Sequence, residues 1–144
     1  MKAEIAKQWV KALRSKRYKQ GKQALKIKTK AGVTRHCCLG VLCELYQKAH
    51  PDKKLTTKQR KTIKGEERPA GATVFGFESD DIHEETQLPA RVQRWAGIDS
   101  DDGWLGYKID STLYADYPAL TDMNDNGRSF AQIADVIEEH FKDL

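Results

Sequence analysis

His36, Cys37, Cys38 and Cys43 are the residues whose types most directly suggest chemistry. Together they could hold zinc, or one thiol could act as a nucleophile with an imidazole as its base. Their spacing argues against both. Ligands of a tetrahedral ion converge from separated positions, whereas consecutive side chains at a helix start fan apart, and the chain has no CxxC pair. A catalytic base must face the sulfur, which a chain neighbour rarely does. His50, His83 and His140 form no supporting pattern. The cysteines are therefore expected to be buried and structural. An odd number of them, packed together, is no disulfide framework and suits a reducing compartment.

Carboxylates are plentiful: Asp80, Asp81, Glu84, Glu85, Asp99, Asp101, Asp102, Asp110, Asp122 and Asp125. The run Asp99 to Gly103 has a faint look of a calcium loop but lacks the spaced ligands and closing glutamate of one, so it reads as an acidic turn. No glycine-rich phosphate loop is present. What remains is the stretch Leu13 to Lys22, which combines cations, an aromatic ring and a glycine turn. Arg14 and Arg17 suit phosphate, Tyr18 suits a base, and Gln20 and Asn124 could read polar edges. A second reading stands beside this one: a solvated helix end for the cations, turn and capping chemistry for the amides.

The elements that must position these residues follow from periodicity. Ile5, Ala6, Trp9, Val10, Ala12 and Leu13 mark a helix over 3–16 that stops before Gly21. Alternation at Leu25-Lys26-Ile27-Lys28, a turn at Gly32 and a return over 33–36 predict a hairpin. Cys38, Val41, Leu42 and Leu45 predict a buried helix, in which Gly40 permits close approach of another backbone. Residues 72–77 and 104–109 read as strands. Residues 88–96 read as a short helix with Pro89 in its first turn and Gly97 as its stop. Ser129 to Phe141 reads as an amphipathic helix with Ser129 as N-cap and Gln132 only weakly completing a capping box. The expected fold is α+β: one compact domain over 1–144, a small antiparallel sheet packed with three to four helices, and a flexible basic insertion at 52–71.

A chain of 144 residues can bury a core without disulfide or metal. No apolar run approaches a membrane span, and the N-terminal segment alternates in charge where a secretory signal would be apolar. A cytoplasmic protein is expected. The net charge of +4 conceals a split: residues 1–65 hold 19 Lys or Arg against three acids, and residues 66–144 hold six against 18. Either the first half has an electrostatic role, or the halves fold together and neutralise locally.

Four ordered blocks resemble a widespread family of small phage-encoded proteins. They are Trp9…Ala12-Leu13-Arg14-Ser15…Tyr18-Lys19-Gln20-Gly21, Cys37-Cys38-Leu39-Gly40-Val41-Leu42-Cys43, Leu88-Pro89…Val92…Trp95-Ala96-Gly97, and Leu120-Thr121…Asn124-Asp125…Gly127…Ser129-Phe130…Ile133-Ala134. The resemblance covers most of the chain outside roughly residues 48–85. It implies a homo-oligomeric sponge that sequesters cyclic-nucleotide signals of antiphage immunity in the infected bacterial cell, with no turnover and no cofactor. It carries no binding residue to a named position. The alternatives are a nucleic-acid-binding module built on the basic half, without a helix-turn-helix, RRM or zinc-finger signature, and a protein-binding inhibitor of a host factor. Trp95, Trp104 and Tyr107 are candidate interface residues.

Overall fold

The structure, a computed structural model, describes residues 1–105 and 118–144. It is α+β, as expected. A five-stranded antiparallel sheet is formed by β1 (Lys26–Lys28), β2 (Thr34–His36), β3 (Thr56–Lys61), β4 (Thr73–Ser79) and β5 (Ile82–Glu84). The order is β2-β1-β4-β3, with β5 also beside β4. The helices are α1 (Ala3–Arg14), α2 (Cys38–Ala49), α3 (Ala90–Ala96), α4 (Leu120–Asp125) and α5 (Phe130–His140). The described helices thus number five rather than three to four. The additional one is α4, six residues long and too short to show a periodic stripe.

α2 is apolar on nearly every side because it is the inner helix, in contact with α1, α3, α4 and β2. Its first turn is sealed by α1, where the Trp9 indole donates to the Cys38 carbonyl at 3.0 Å. Gly40 explains how α2 meets the sheet. A Cβ there would lie 1.7 Å from the Leu25 carbonyl oxygen, so only glycine fits. Trp9, Leu25, Leu42, Phe77 and Ile137 belong to one buried core, while Ala24, Ile27, Ala72 and Val74 form a small second cluster.

Some local expectations change and others are met. The expected insertion at 52–71 contains β3, which pairs along its whole length with β4, from Thr56↔Glu78 to Lys61↔Thr73. All six β3 residues are exposed, so it carries no hydrophobic alternation to reveal it in the sequence. The capping box of α5 is complete: Ser129 Oγ accepts from the Gln132 amide and Gln132 Oε1 accepts from the Ser129 amide. Glycine at C′ stops α3, with Gly97 at φ 68°. Of the expected strand at 104–109, Trp104 forms an isolated bridge with Ala119, and the remainder beyond Leu105 lies outside the described residues. The charge split is partly cancelled in space, because Arg14 pairs with Asp135 and Glu138, Lys58 with Glu78, and Arg60 with Glu66 and Glu85.

Candidate functional site

After α1 the chain turns at Lys16, whose φ of 59° is left-handed. The next residues are stitched to β2. The His36 amide donates to the Lys19 carbonyl at 2.9 Å, and the Gly21 amide donates to the His36 carbonyl at 2.7 Å. This holds Arg17, Tyr18 and Lys19 against the β1–β2 turn. With Gly32 to Thr34 and His36 they wall a cavity of about 430 Å³. Arg17 and Lys19 are exposed and form no ion pair among the described residues. The Tyr18 ring meets the His36 ring edge-to-face, centroids 5.3 Å apart, and its hydroxyl accepts from Lys48 Nζ at 2.8 Å.

The wall behind this cavity is a small polar network. His36 Nε2 lies 3.3 Å from Glu44 Oε1, which also accepts from Lys26 Nζ at 2.7 Å. Burial pushes the Glu44 carboxyl up, but the hydrogen bonds from His36 and Lys26 outweigh it and bring its pKa to about 2. An ionised Glu44 calls for a proton on His36 Nε2. His36 Nδ1 is buried and makes no hydrogen bond among the described residues.

A second cavity, of about 540 Å³, opens on the other side of the β2–α2 junction. Its lining includes Cys37, Glu67, Arg68, Asp102, Thr121 and Asp125. The walls are tied together. Asp125 Oδ1 accepts from the Gln23 amide at 3.0 Å, Arg68 Nε donates to the Gln23 carbonyl at 2.8 Å, and the Gln23 side-chain amide donates to Glu67. Arg68 also spans Glu66 and Glu85, so its charge is spent within the wall. With four carboxylates and one cation, this cavity repels anions.

Residues 1–141 match the family described as Domain of unknown function (DUF8296). The chain belongs to that family. No curated protein and no solved structure matches this DUF8296 chain.

In this DUF8296 member two of the five residues expected at a ligand site, Arg17 and Tyr18, share the basic cavity, and the other three do not line it. Arg14 sits on the α1–α5 face, where its guanidinium donates to Asp135 at 2.6 Å and Glu138 at 2.8 Å. Gln20 and Asn124 meet each other, but as a structural clamp. Gln20 Nε2 donates to Asn124 Oδ1 at 3.1 Å and to the Arg128 carbonyl, and its Oε1 accepts from the Phe130 amide. Asn124 is fully buried; its Oδ1 also accepts from the Cys38 amide, and its Nδ2 donates to the Gly21 carbonyl at 2.8 Å. The amide reading that prevails is therefore capping, applied across distant segments.

All three cysteines are buried. Cys37 is the N-cap of α2, its sulfur accepting from the Gly40 amide. Burial pushes its thiol up to about 12, against hydrogen bonds that pull it down, and raises Cys38 and Cys43 as well. Among the described residues no group of His, Cys, Asp and Glu could hold a metal ion. Lys19 and His36 are the cavity residues that sequence reasoning passed over as ligand contacts. Their pairing with Arg17 depends on a parallel bridge between Gln20 and His36, for which the sequence carries no signal.

Proposed function

We propose that the protein binds a small anionic nucleotide and holds it without turnover. The site is the cavity walled by Arg17, Tyr18, Lys19 and His36. The observation that carries the reading is the meeting of two cations, without an ion pair among the described residues, with an aromatic ring at one cavity. Guanidinium and ammonium groups suit phosphate, and an aromatic edge or face suits a base. A volume of about 430 Å³ lies within the range of small-ligand sites. The basic strand β3 is a poorer place for an anion, because Lys58 and Arg60 are ion-paired and Lys61 donates to Thr73. On this reading the protein is a phage product, acts in the cytoplasm of the infected cell as a homo-oligomer, and sequesters a cyclic-nucleotide immune signal.

Calorimetric titration with a panel of cyclic di- and trinucleotides tests it. Wild type should bind at least one at micromolar concentrations and release it chemically intact. A charge-assisted contact to phosphate is worth about 1.5–3 kcal/mol, so Arg17→Ala and Lys19→Ala should each weaken binding roughly ten- to hundredfold. Arg14→Ala should leave affinity unchanged. A wild type that binds none of the panel would sink the reading. Affinity lost with Arg14→Ala and kept with both other variants would move the site to the α1–α5 face.

A further inference from the structure

α1 and α5 pack antiparallel. The Met1 ammonium donates to the Leu144 carbonyl at 2.7 Å, while Arg14 at the other end of α1 meets Asp135 and Glu138. Between the helices runs a groove of about 580 Å³. Ala3, Ala6, Val10 and Phe141 give it an apolar floor. Lys7 and Lys11 line its α1 side, exposed and without an ion pair among the described residues. Across it stands Glu138, with Asp135 one turn away on α5. Both hold Arg14, which also lines the groove, each through one carboxylate oxygen, and their side chains are still 63 % exposed.

We infer that this groove is the surface on which two copies of the chain associate about a two-fold axis. A two-fold contact uses the same patch on both copies, so the patch must complement itself. An apolar strip with the two lysines along one side and, along the other, two carboxylates that share a single guanidinium meets that condition. Rotation sets α1 of each copy along α5 of the other, bringing Lys7 and Lys11 over the opposing Asp135 and Glu138. The small side chains of Ala3 and Ala6 let the helices approach closely. An acidic helix from another protein would satisfy Lys7 and Lys11 but would face two carboxylates that Arg14 only half neutralises, which is why the observations favour a second copy. The inference names the surface behind the homo-oligomer proposed above, and its test needs no ligand.

The test is the mass in solution, read by sedimentation equilibrium or light scattering on the ligand-free full chain. Wild type should be a dimer at moderate salt. The Lys7→Glu/Lys11→Glu variant places acid against acid, and the Asp135→Lys/Glu138→Lys variant places base against base. Each should weaken association by about a hundredfold or more and run as a monomer. Mixed in equal amounts, the two variants should form a heterodimer, because both contacts are then of opposite sign. Circular dichroism checks that each variant is folded. If one is not, Ala3→Arg, at the exposed start of α1, supplies the same readout. A monomeric wild type overturns the inference. So does a dimer that survives the charge reversals, or a pair of monomeric variants that fails to associate on mixing.

Discussion

His36 and Cys37 are neighbours in the chain, yet they wall different cavities. Successive side chains of extended backbone point to opposite sides, and the end of β2 running into the Cys37 cap has that conformation. On the His36 side, Arg17 and Lys19 stand beside an aromatic ring with no ion pair among the described residues. On the Cys37 side, four carboxylates face one guanidinium that is committed to the wall. The difference shows that sequence charge is a poor guide to local potential. On α1 and β3, Arg14, Lys58 and Arg60 are held by carboxylates, and the basic site is made by others that have no ion pair among the described residues. It also shows that size does not decide ligand class: the larger cavity is the less suited to an anion.

The junction between the cavities is where the comparison breaks most completely. Gly40→Ala would drive a methyl group into the Leu25 carbonyl, 1.7 Å away, and neither backbone can yield without separating α2 from the sheet. The expected loss is more than ~3 kcal/mol, with both cavities disrupted together. Denaturant titration checks this. A variant as stable as wild type would mean that α2 and the sheet do not meet as described.

Asn124→Ala should be the next largest effect, and it separates the two sides. It removes a buried amide and leaves the Cys38 amide and the Gly21 carbonyl without their side-chain partner. The expected cost is ~2–3 kcal/mol of stability. Anion affinity of the protein that remains folded should not change, because Asn124 lies outside the basic cavity. A large loss of affinity with unaltered stability would return Asn124 to the ligand.

Acid should distinguish the cavities more finely. Glu44 behind His36 titrates at about 2 in the folded chain, against an ordinary value of 4.5. The unfolded chain therefore takes up the proton first as pH falls. The stabilisation is complete above about 4.5 and is lost progressively toward pH 2. Between pH 5 and pH 3 wild type should lose ~2 kcal/mol more than Glu44→Gln, read from urea midpoints. Glu66, on the carboxylate-rich side, is also held low, by Arg60. Its partner Arg60 is 40 % exposed, so solvent screens that pairing from one side. Equal acid sensitivity of wild type and Glu44→Gln would locate the acid response elsewhere.

Much of the fold was legible because its signals are local. The stripe in α1, the all-round apolarity of α2, the stop at Gly97 and the amphipathic run of α5 each lie within a dozen residues and report burial directly. The glycine at position 40 could be read as a close approach, though not what approaches. β3 was missed because an exposed edge strand is held by backbone pairing to β4, and backbone pairing leaves no trace in side-chain type.

The sequence by itself determined the α+β class, the burial of the cysteines, and the supply of cations in the first half. It could not determine which cations remain free. Arg14, Arg17 and Lys19 are all cations and close in the chain. Only the packing of α1 on α5 gives Arg14 two carboxylates, and only the bridge from Gln20 to His36 turns Arg17 and Lys19 toward a cavity. Gln20 and Asn124 likewise look like ligand readers until their partners, more than a hundred residues apart in sequence, are seen to saturate them. The physical reason is the same in each case. Burial follows from side-chain type, whereas whether a polar group is free depends on a partner brought from elsewhere in the chain.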